Sequence, residues 1–192
     1  MTKTDEIVRR VVQARLGGKV ERCHGIPHHG SYSNAAHTWG ALVLLWQLFP
    51  EHWVRVSPVL LAHDVGEGWL GDIPAPTMRY VPGLRDTITG MEGMIVSDLG
   101  FDTEFGLTKE EHAAFKACDR LELYLWANEQ YLMGNQYAGD CIRELETYFR
   151  QEPLPGQAFV FFERLRAVSL LPKQAGVVKD IVDKVVQAER KD

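Results

Sequence analysis

The chain has little that could staple it, anchor it or spread it along a polyanion. Its three cysteines, Cys23, Cys118 and Cys141, are odd in number and far apart, with no CxxC pair. That pattern argues against a disulfide framework and fits a reducing compartment. No run approaches the roughly 20 apolar residues of a membrane span. The opening Met-Thr-Lys-Thr-Asp-Glu lacks the apolar core of a secretory signal, so a soluble, cytoplasmic protein is expected. Basic residues are outnumbered: 21 Lys and Arg against 26 Asp and Glu leave a net charge of −5. That balance disfavours a nucleic-acid polymer as partner. It does not disfavour a small anionic substrate, because a metal and a few local cations can reverse the field inside one pocket. Sustained strand alternation, internal repeats and low-complexity segments are also missing.

What remains is helical. Ile7, Val8, Val11, Val12 and Leu16 recur at helical spacing, with Asp5 and Glu6 in the first turn, where they suit the helix dipole. Gly17-Gly18 stops that helix. Residues 19–34 read as a long polar loop with functional potential, carrying Arg22, Cys23, His24, His28 and His29. From Ala35 to Phe49 nearly every position is apolar or small, the signature of a central buried helix, and Pro50 ends it. Residues 54–66 repeat that character. Residues 67–83, rich in Gly and Pro, read as loop. A helix is predicted over Leu84–Leu99. Another runs from a capping box at Thr108 and Glu111 to about Met133. Two more follow over 137–151 and 158–170. The pairs Val177/Val178, Ile181/Val182 and Val185/Val186 recur every four residues and fit a last helical face. The fold class is all-α. At 192 residues a single domain is expected, with its core over about 5–150 and C-terminal helices over 158–190 packed on it.

The most informative stretch is 58–76. An apolar run, Val59 to Ala62, ends on His63 and Asp64, with Glu67 three residues on and then Gly71-Asp72-Ile73-Pro74-Ala75-Pro76. Burying an imidazole and two carboxylates costs several kcal/mol unless something pairs with them. A metal ion is one such partner. His37 on the preceding apolar helix and Asp119 within the long one are candidates to complete a site. Two imidazoles and two carboxylates suit a borderline divalent ion and leave positions open for water and substrate. Glu67 follows His63 by four and Asp64 by three, so a continuing helical turn would bring it to their face. His52 and His112 read as structural, and His28-His29 as a solvated loop pair.

His37, then His63-Asp64, then Asp119 resembles the H…HD…D signature of HD-domain metal-dependent phosphohydrolases. The segment Gly71 to Pro76 is similar to the G-D-[LI]-P-x-P turn of the bacterial 5′-deoxynucleotidase branch. Arg22 matches the arginine of that branch's R-W pair, and Lys116, three residues before Asp119, has its counterpart there. Small phage-borne deoxynucleoside triphosphate hydrolases share the same four ligands at comparable spacing.

The resemblance implies an HD-domain helical bundle. It makes His37, His63, Asp64 and Asp119 ligands of one divalent transition metal (Co, Mn, Zn, Fe or Ni) and Glu67 the catalytic acid/base. Arg22 and Lys116 would contact phosphate, and Asp72 the sugar. Cys23 stands where the branch has tryptophan, so base and sugar preference do not transfer. A nucleotide substrate and a homo-oligomer are expected. Three functions stay open. The first is release of a deoxynucleoside from a 5′-monophosphate. The second is the same attack on a deoxynucleoside triphosphate, releasing triphosphate. The third is a non-catalytic metal- or nucleotide-binding module.

Overall fold

The structure is a computed structural model that describes residues 2–101 and 106–167. Nine α-helices cover most of this span: α1 (Lys3–Gly17), α2 (Asn34–Leu48), α3 (Trp53–Ala62), α4 (Glu67–Leu70), α5 (Ala75–Tyr80), α6 (Leu84–Asp98), α7 (Lys109–Leu132), α8 (Ala138–Gln151) and α9 (Gly156–Ala167). Among the described residues the only β feature is an isolated bridge between Glu21 and Ser33, which pinches the loop that follows α1. No helix among them is long and apolar enough to cross a membrane. The Val177–Val186 helix, and the part of the expected C-terminal helices beyond Ala167, lie outside the described residues.

Local signals explain most boundaries. Thr2 and Asp5 form a reciprocal capping box on α1 (Asp5 N–H to Thr2 Oγ1 3.1 Å, Thr2 N–H to Asp5 Oδ2 2.8 Å). Thr108 and Glu111 do the same for α7 at 3.2 and 2.8 Å. Each box satisfies amide donors that a helix start leaves unpaired. Gly134, at φ +94°, takes the left-handed conformation that closes α7 and that glycine adopts without steric cost.

Helix α7 is the axis of the bundle. Its Ala114, Phe115, Cys118, Leu121 and Tyr124 pack against Ala41, Leu44 and Leu45 of α2, Val56 and Leu60 of α3, Leu145 and Phe149 of α8, and Phe162 of α9.

Three expectations need correction. The reading of 67–83 as loop misses α4 and α5. Gly71 at φ +76° breaks the two apart, and Pro76 falls in the first turn of α5, where a missing N–H costs nothing. The helix carrying the His-Asp pair ends at Ala62, so His63 and Asp64 sit in a series of turns over 63–66. Helix α2 is buried on one face only. Asn34, His37, Ala41, Leu44 and Leu45 are buried, whereas Trp39 and Trp46 are 71% and 56% exposed. Apolar character all round marks a buried helix only when every face has a neighbour, and here α3 and α7 cover one side.

One contact positions the turn that carries the His-Asp pair. Gly17 is the buried residue of α1, and a Cβ on it would lie 2.7 Å from both Cα and O of Val65. Those are backbone atoms and cannot swing aside. Replacing glycine by alanine in a helix usually gains up to about 1 kcal/mol. Here Gly17→Ala is expected to destabilise by about 1–3 kcal/mol, the cost of overpacking, and to lower activity by moving residues 63–66. Thermal unfolding measures it, and a Tm at or above wild type would refute the close contact.

Candidate active site

Four elements converge at the centre of the bundle. Ser33 caps α2, its Oγ accepting from Ala36 N–H at 3.3 Å, and this start brings His37 onto the face that meets α7. His37 is completely buried. Its Nε2 lies 3.2 Å from Asp119 Oδ1, in the middle of α7, and 3.9 Å from Asp64 Oδ2. His63 donates from Nδ1 to the Leu60 carbonyl (2.8 Å), which turns its Nε2 inward. That atom lies 3.1 Å from Asp64 Oδ2 and 3.6 Å from Asp119 Oδ1. Phe115 packs edge-on against the His63 ring at 5.5 Å.

One ligand atom each from His37, His63 and Asp119 lies within 4.8 Å of the other two. His63 Nε2 is buried and makes no hydrogen bond, a state that costs free energy unless a further partner binds. Two inward-facing imidazole nitrogens and a carboxylate are a donor set for a divalent transition metal, and the residues fit such an ion. Asp64 stands beside this trio, ion-paired with Arg22.

Glu67 opens α4 next to the cluster. Its Oε2 accepts from Asn34 Nδ2 at 2.7 Å, and Asn34 Oδ1 in turn accepts from Arg22 at 3.0 Å. Asn34 also donates to the Gly17 carbonyl at 3.1 Å, so one buried amide ties together α1, the Arg22 loop and α4. Arg22 Nε is buried without a hydrogen-bond partner, a spare donor. Asp72 accepts from the Cys23 N–H at 2.9 Å and lies 3.7 Å from His24 Nδ1, which brings the Asp72 turn against the Arg22 loop. Cys23 itself has φ +54°, uncommon for a residue with a Cβ. It packs on the Tyr32–Trp126 stack. The Lys116 ammonium sits 4.6 Å over the Phe115 ring.

No family model matches the chain. Over 100 residues it is 31% identical to the dATP triphosphohydrolase of cyanophage S-2L, an alignment covering 52% of this chain and 53% of that protein. The chain therefore spans about half the length of the curated relative it matches. Its backbone also superposes on the structure of the cyanophage S-2L HD phosphohydrolase DatZ bound to dA and one catalytic Zn2+ ion. The TM-score is 0.65 at 20% identity, covering 85% of this chain and 96% of the other. The chain has the HD phosphohydrolase fold. The all-α architecture and the relationship to phage deoxynucleotide hydrolases expected from the sequence are both borne out.

Electrostatics in this HD fold are set by burial and by close charges. Burial opposes the charge on His63, but Asp64 and Asp119 outweigh it and push its pKa up to about 10. His37 is likewise raised, burial being overcome by Asp119 and Glu122. Asp119 is held well below the usual carboxylate range by the two imidazoles despite its burial. Burial and the Asp64 carboxylate push Glu67 up to about 7, against the Asn34 hydrogen bond and Arg22. Burial lowers Lys116, with Asp119 opposing. Burial also raises the Cys23 thiol to about 11, which leaves it unsuited to act as a nucleophile.

Sequence reasoning passed over three members of this site. Asn34 reads as the end of a polar loop. Tyr32 reads as a loop aromatic, although it is buried and stacked on Trp126 at 4.4 Å. Glu122, which accepts from His37 Nδ1, lies three residues after Asp119, and that i,i+3 spacing was the available signal. Of the His28-His29 pair, expected to be solvated, His28 is structural, whereas the His29 side chain is exposed and only its backbone is anchored. His28 Nδ1 donates to the Ile26 carbonyl at 2.8 Å, and the His29 N–H donates to Gln130 at 2.8 Å.

These charge states give a prediction for metal uptake. With its pKa raised to about 10, His63 is protonated near pH 7 in the metal-free protein, and a ligand nitrogen must lose its proton to bind. Binding of Zn2+ should therefore release at least one proton, and affinity should rise about tenfold for each pH unit between 7 and 9. Calorimetry in buffers of different ionisation enthalpy counts the protons. Binding without proton release would contradict these charge states. His63→Ala should weaken affinity by at least about 100-fold, the upper end of what losing even an outer partner costs.

Proposed function

We propose that the protein is a metal-dependent hydrolase of 2′-deoxynucleoside triphosphates that attacks the α-phosphorus and yields a deoxynucleoside and triphosphate. The observation that carries the reaction class is the partly buried Glu67 carboxylate, held by Asn34 beside the His37, His63 and Asp119 cluster. The relationship to a dATP triphosphohydrolase supports triphosphate as the second product, ahead of the monophosphate reaction that the nucleotidase-like turn at Gly71–Pro76 put first. A non-catalytic module would have no use for a carboxylate poised near neutrality in such a place.

His37, His63 and Asp119, with Asp64 as fourth ligand, would hold a divalent ion, which supplies Lewis-acid polarisation of a phosphoryl oxygen and of the attacking water. Glu67 takes the proton of that water as the new P–O bond forms. It returns a proton to O5′ as the P–O5′ bond breaks. A carboxyl near pKa 7 can do both. The Asn34 amide occupies Oε2 and leaves Oε1 to face the water. Arg22 offers its unpartnered Nε–H to a phosphate oxygen. Lys116, partly desolvated and without an ion pair among the described residues, stabilises charge on the triphosphate oxygens. Asp72, steadied by the Cys23 amide, accepts from a sugar hydroxyl. The resemblance also implies a homo-oligomer. The exposed Trp39 and Trp46 on α2 support assembly, and light scattering on the metal-loaded protein tests it.

Phosphorus NMR on the Zn2+-loaded protein given dATP or dAMP separates the reactions. Triphosphate appearing from dATP, with dAMP turned over at least about tenfold more slowly, is the expected outcome. Orthophosphate from dAMP alone would return the reading to a 5′-deoxynucleotidase.

Glu67→Gln should retain metal and substrate affinity while turnover falls by about two to four orders of magnitude, the usual worth of a general acid/base. Because Glu67 must be ionised to take the proton, kcat/KM should rise with pH and level off. The midpoint should lie at or below about 7, since a nearby cation can only lower it. That limb should vanish in the Gln variant. Unchanged turnover in Glu67→Gln would remove the residue from the mechanism.

A further inference from the structure

Glu122 has no part in the reaction above, yet it is among the most constrained carboxylates in the protein. Its side chain is 12% exposed. A single oxygen, Oε2, accepts from both His37 Nδ1 and the Tyr32 hydroxyl. Tyr32 is fixed in turn. Its ring stacks on Trp126 with planes 11° apart, and its carbonyl accepts from Arg22 N–H at 2.7 Å. Trp126 follows Glu122 by four residues on α7, so one helix face supplies both the carboxylate and the aromatic surface that aims the hydroxyl at it.

We propose that Glu122 is the positioning residue of the metal centre. It locks His37 with its proton on Nδ1 and its Nε2 lone pair toward His63 and Asp119, and Gly40 is glycine so that Glu122 can reach. This inference rests on the proposed metal site and names what orients it. An ionised carboxylate only accepts hydrogen bonds, so His37 must present N–H at Nδ1, which leaves Nε2 as the ligand atom. An outer carboxylate that orients a ligating histidine also makes its nitrogen a better donor.

The second observation is independent of any hydrogen bond. Gly40 lies three residues after His37, within a largely apolar helix. A Cβ there would meet Glu122 Cγ at 2.6 Å and Oε1 at 2.9 Å. Cγ lies near the root of the side chain and cannot move aside without dragging the carboxylate off His37. A mid-helix glycine is about 1 kcal/mol less favourable than alanine, and the cleft it opens is filled by the carboxylate side chain that reaches His37 Nδ1.

The test compares wild type with Glu122→Ala, Glu122→Gln, Tyr32→Phe and Gly40→Ala. Circular dichroism confirms the fold of each. Zn2+ affinity is read by competition with a chromophoric chelator, and ligand geometry from the visible absorption of the Co2+-loaded proteins. Glu122→Ala should lose about 10–100-fold in affinity and shift the Co2+ spectrum. Glu122→Gln, which can still accept from Nδ1, should recover part of both. Gly40→Ala should reproduce the Glu122→Ala loss, and adding Glu122→Ala to it should cost little more, because both changes break the same link.

A third readout needs no metal. Wild type should show a far-downfield, slowly exchanging His37 ring N–H resonance in proton NMR, and Glu122→Ala should not. If wild type binds no divalent ion, the metal reading fails by itself and this resonance still reports on Glu122. Glu122→Ala with wild-type Zn2+ affinity and an unchanged ring resonance would overturn the proposal.

Discussion

Everything near the centre of this bundle depends on how a group of charges is kept out of water. Two imidazoles and two carboxylates, His37, His63, Asp64 and Asp119, meet where α2, α3 and α7 cross, and Glu67 and Arg22 close the ring. Burying ions at this density is costly unless each finds a partner, and removing one partner leaves another stranded. The protein offsets the cost in layers. Arg22 neutralises Asp64, Asn34 joins Arg22 to Glu67, and Glu122 with Tyr32 holds His37 from behind. What these layers leave unsatisfied is His63 Nε2 and Arg22 Nε. One is a nitrogen suited to a metal, the other a cationic donor suited to a phosphate oxygen.

The fold serves that cluster through close approaches that need the smallest residue. Gly17 lets the end of α1 touch the turn carrying His63 and Asp64, and Gly68 of α4 lies against Gly17 in turn, with a Cβ on it 2.9 Å from the Gly17 nitrogen. Gly40 makes room for Glu122 on the other side of His37. These glycines fix the distances between helices that would otherwise be set by side-chain volume. Each accepts a loss in helix propensity for a backbone position that the site requires.

Much of this was legible before any coordinates. His63-Asp64 and Asp119 stood out because charged groups in apolar helical runs are expensive. His37 stood out through its place in a nearly apolar helix, and the resemblance joined the four. The capping box at Thr108 fixed the start of α7 to the residue. Other features were hidden for physical reasons. Glu122 and Asn34 look like ordinary polar residues, since neither sequence neighbour reveals that a histidine or a glutamate will face them across the bundle. Helices α4 and α5 are four and six residues long, too short for periodicity to emerge against their glycines and prolines. The outer face of α2 misled because apolar composition reports affinity for a neighbour without saying whether the same chain provides it. Trp39 and Trp46 stay largely exposed, although the Trp53 ring of α3 packs edge-on against Trp46.

The central claim is that the His37, His63 and Asp119 trio is a metal centre and Glu67 its proton-handling neighbour. Anomalous diffraction from crystals grown with Co2+ or Zn2+ tests it most directly, because it locates the ion without relying on activity. The account predicts one strong peak per chain, bonded to Nε2 of both imidazoles and to the Asp119 carboxylate, with Glu67 outside the bonding distance. Peaks only at surface residues such as His24 or His52, or an ion bound through Glu67 in place of His37, would contradict it.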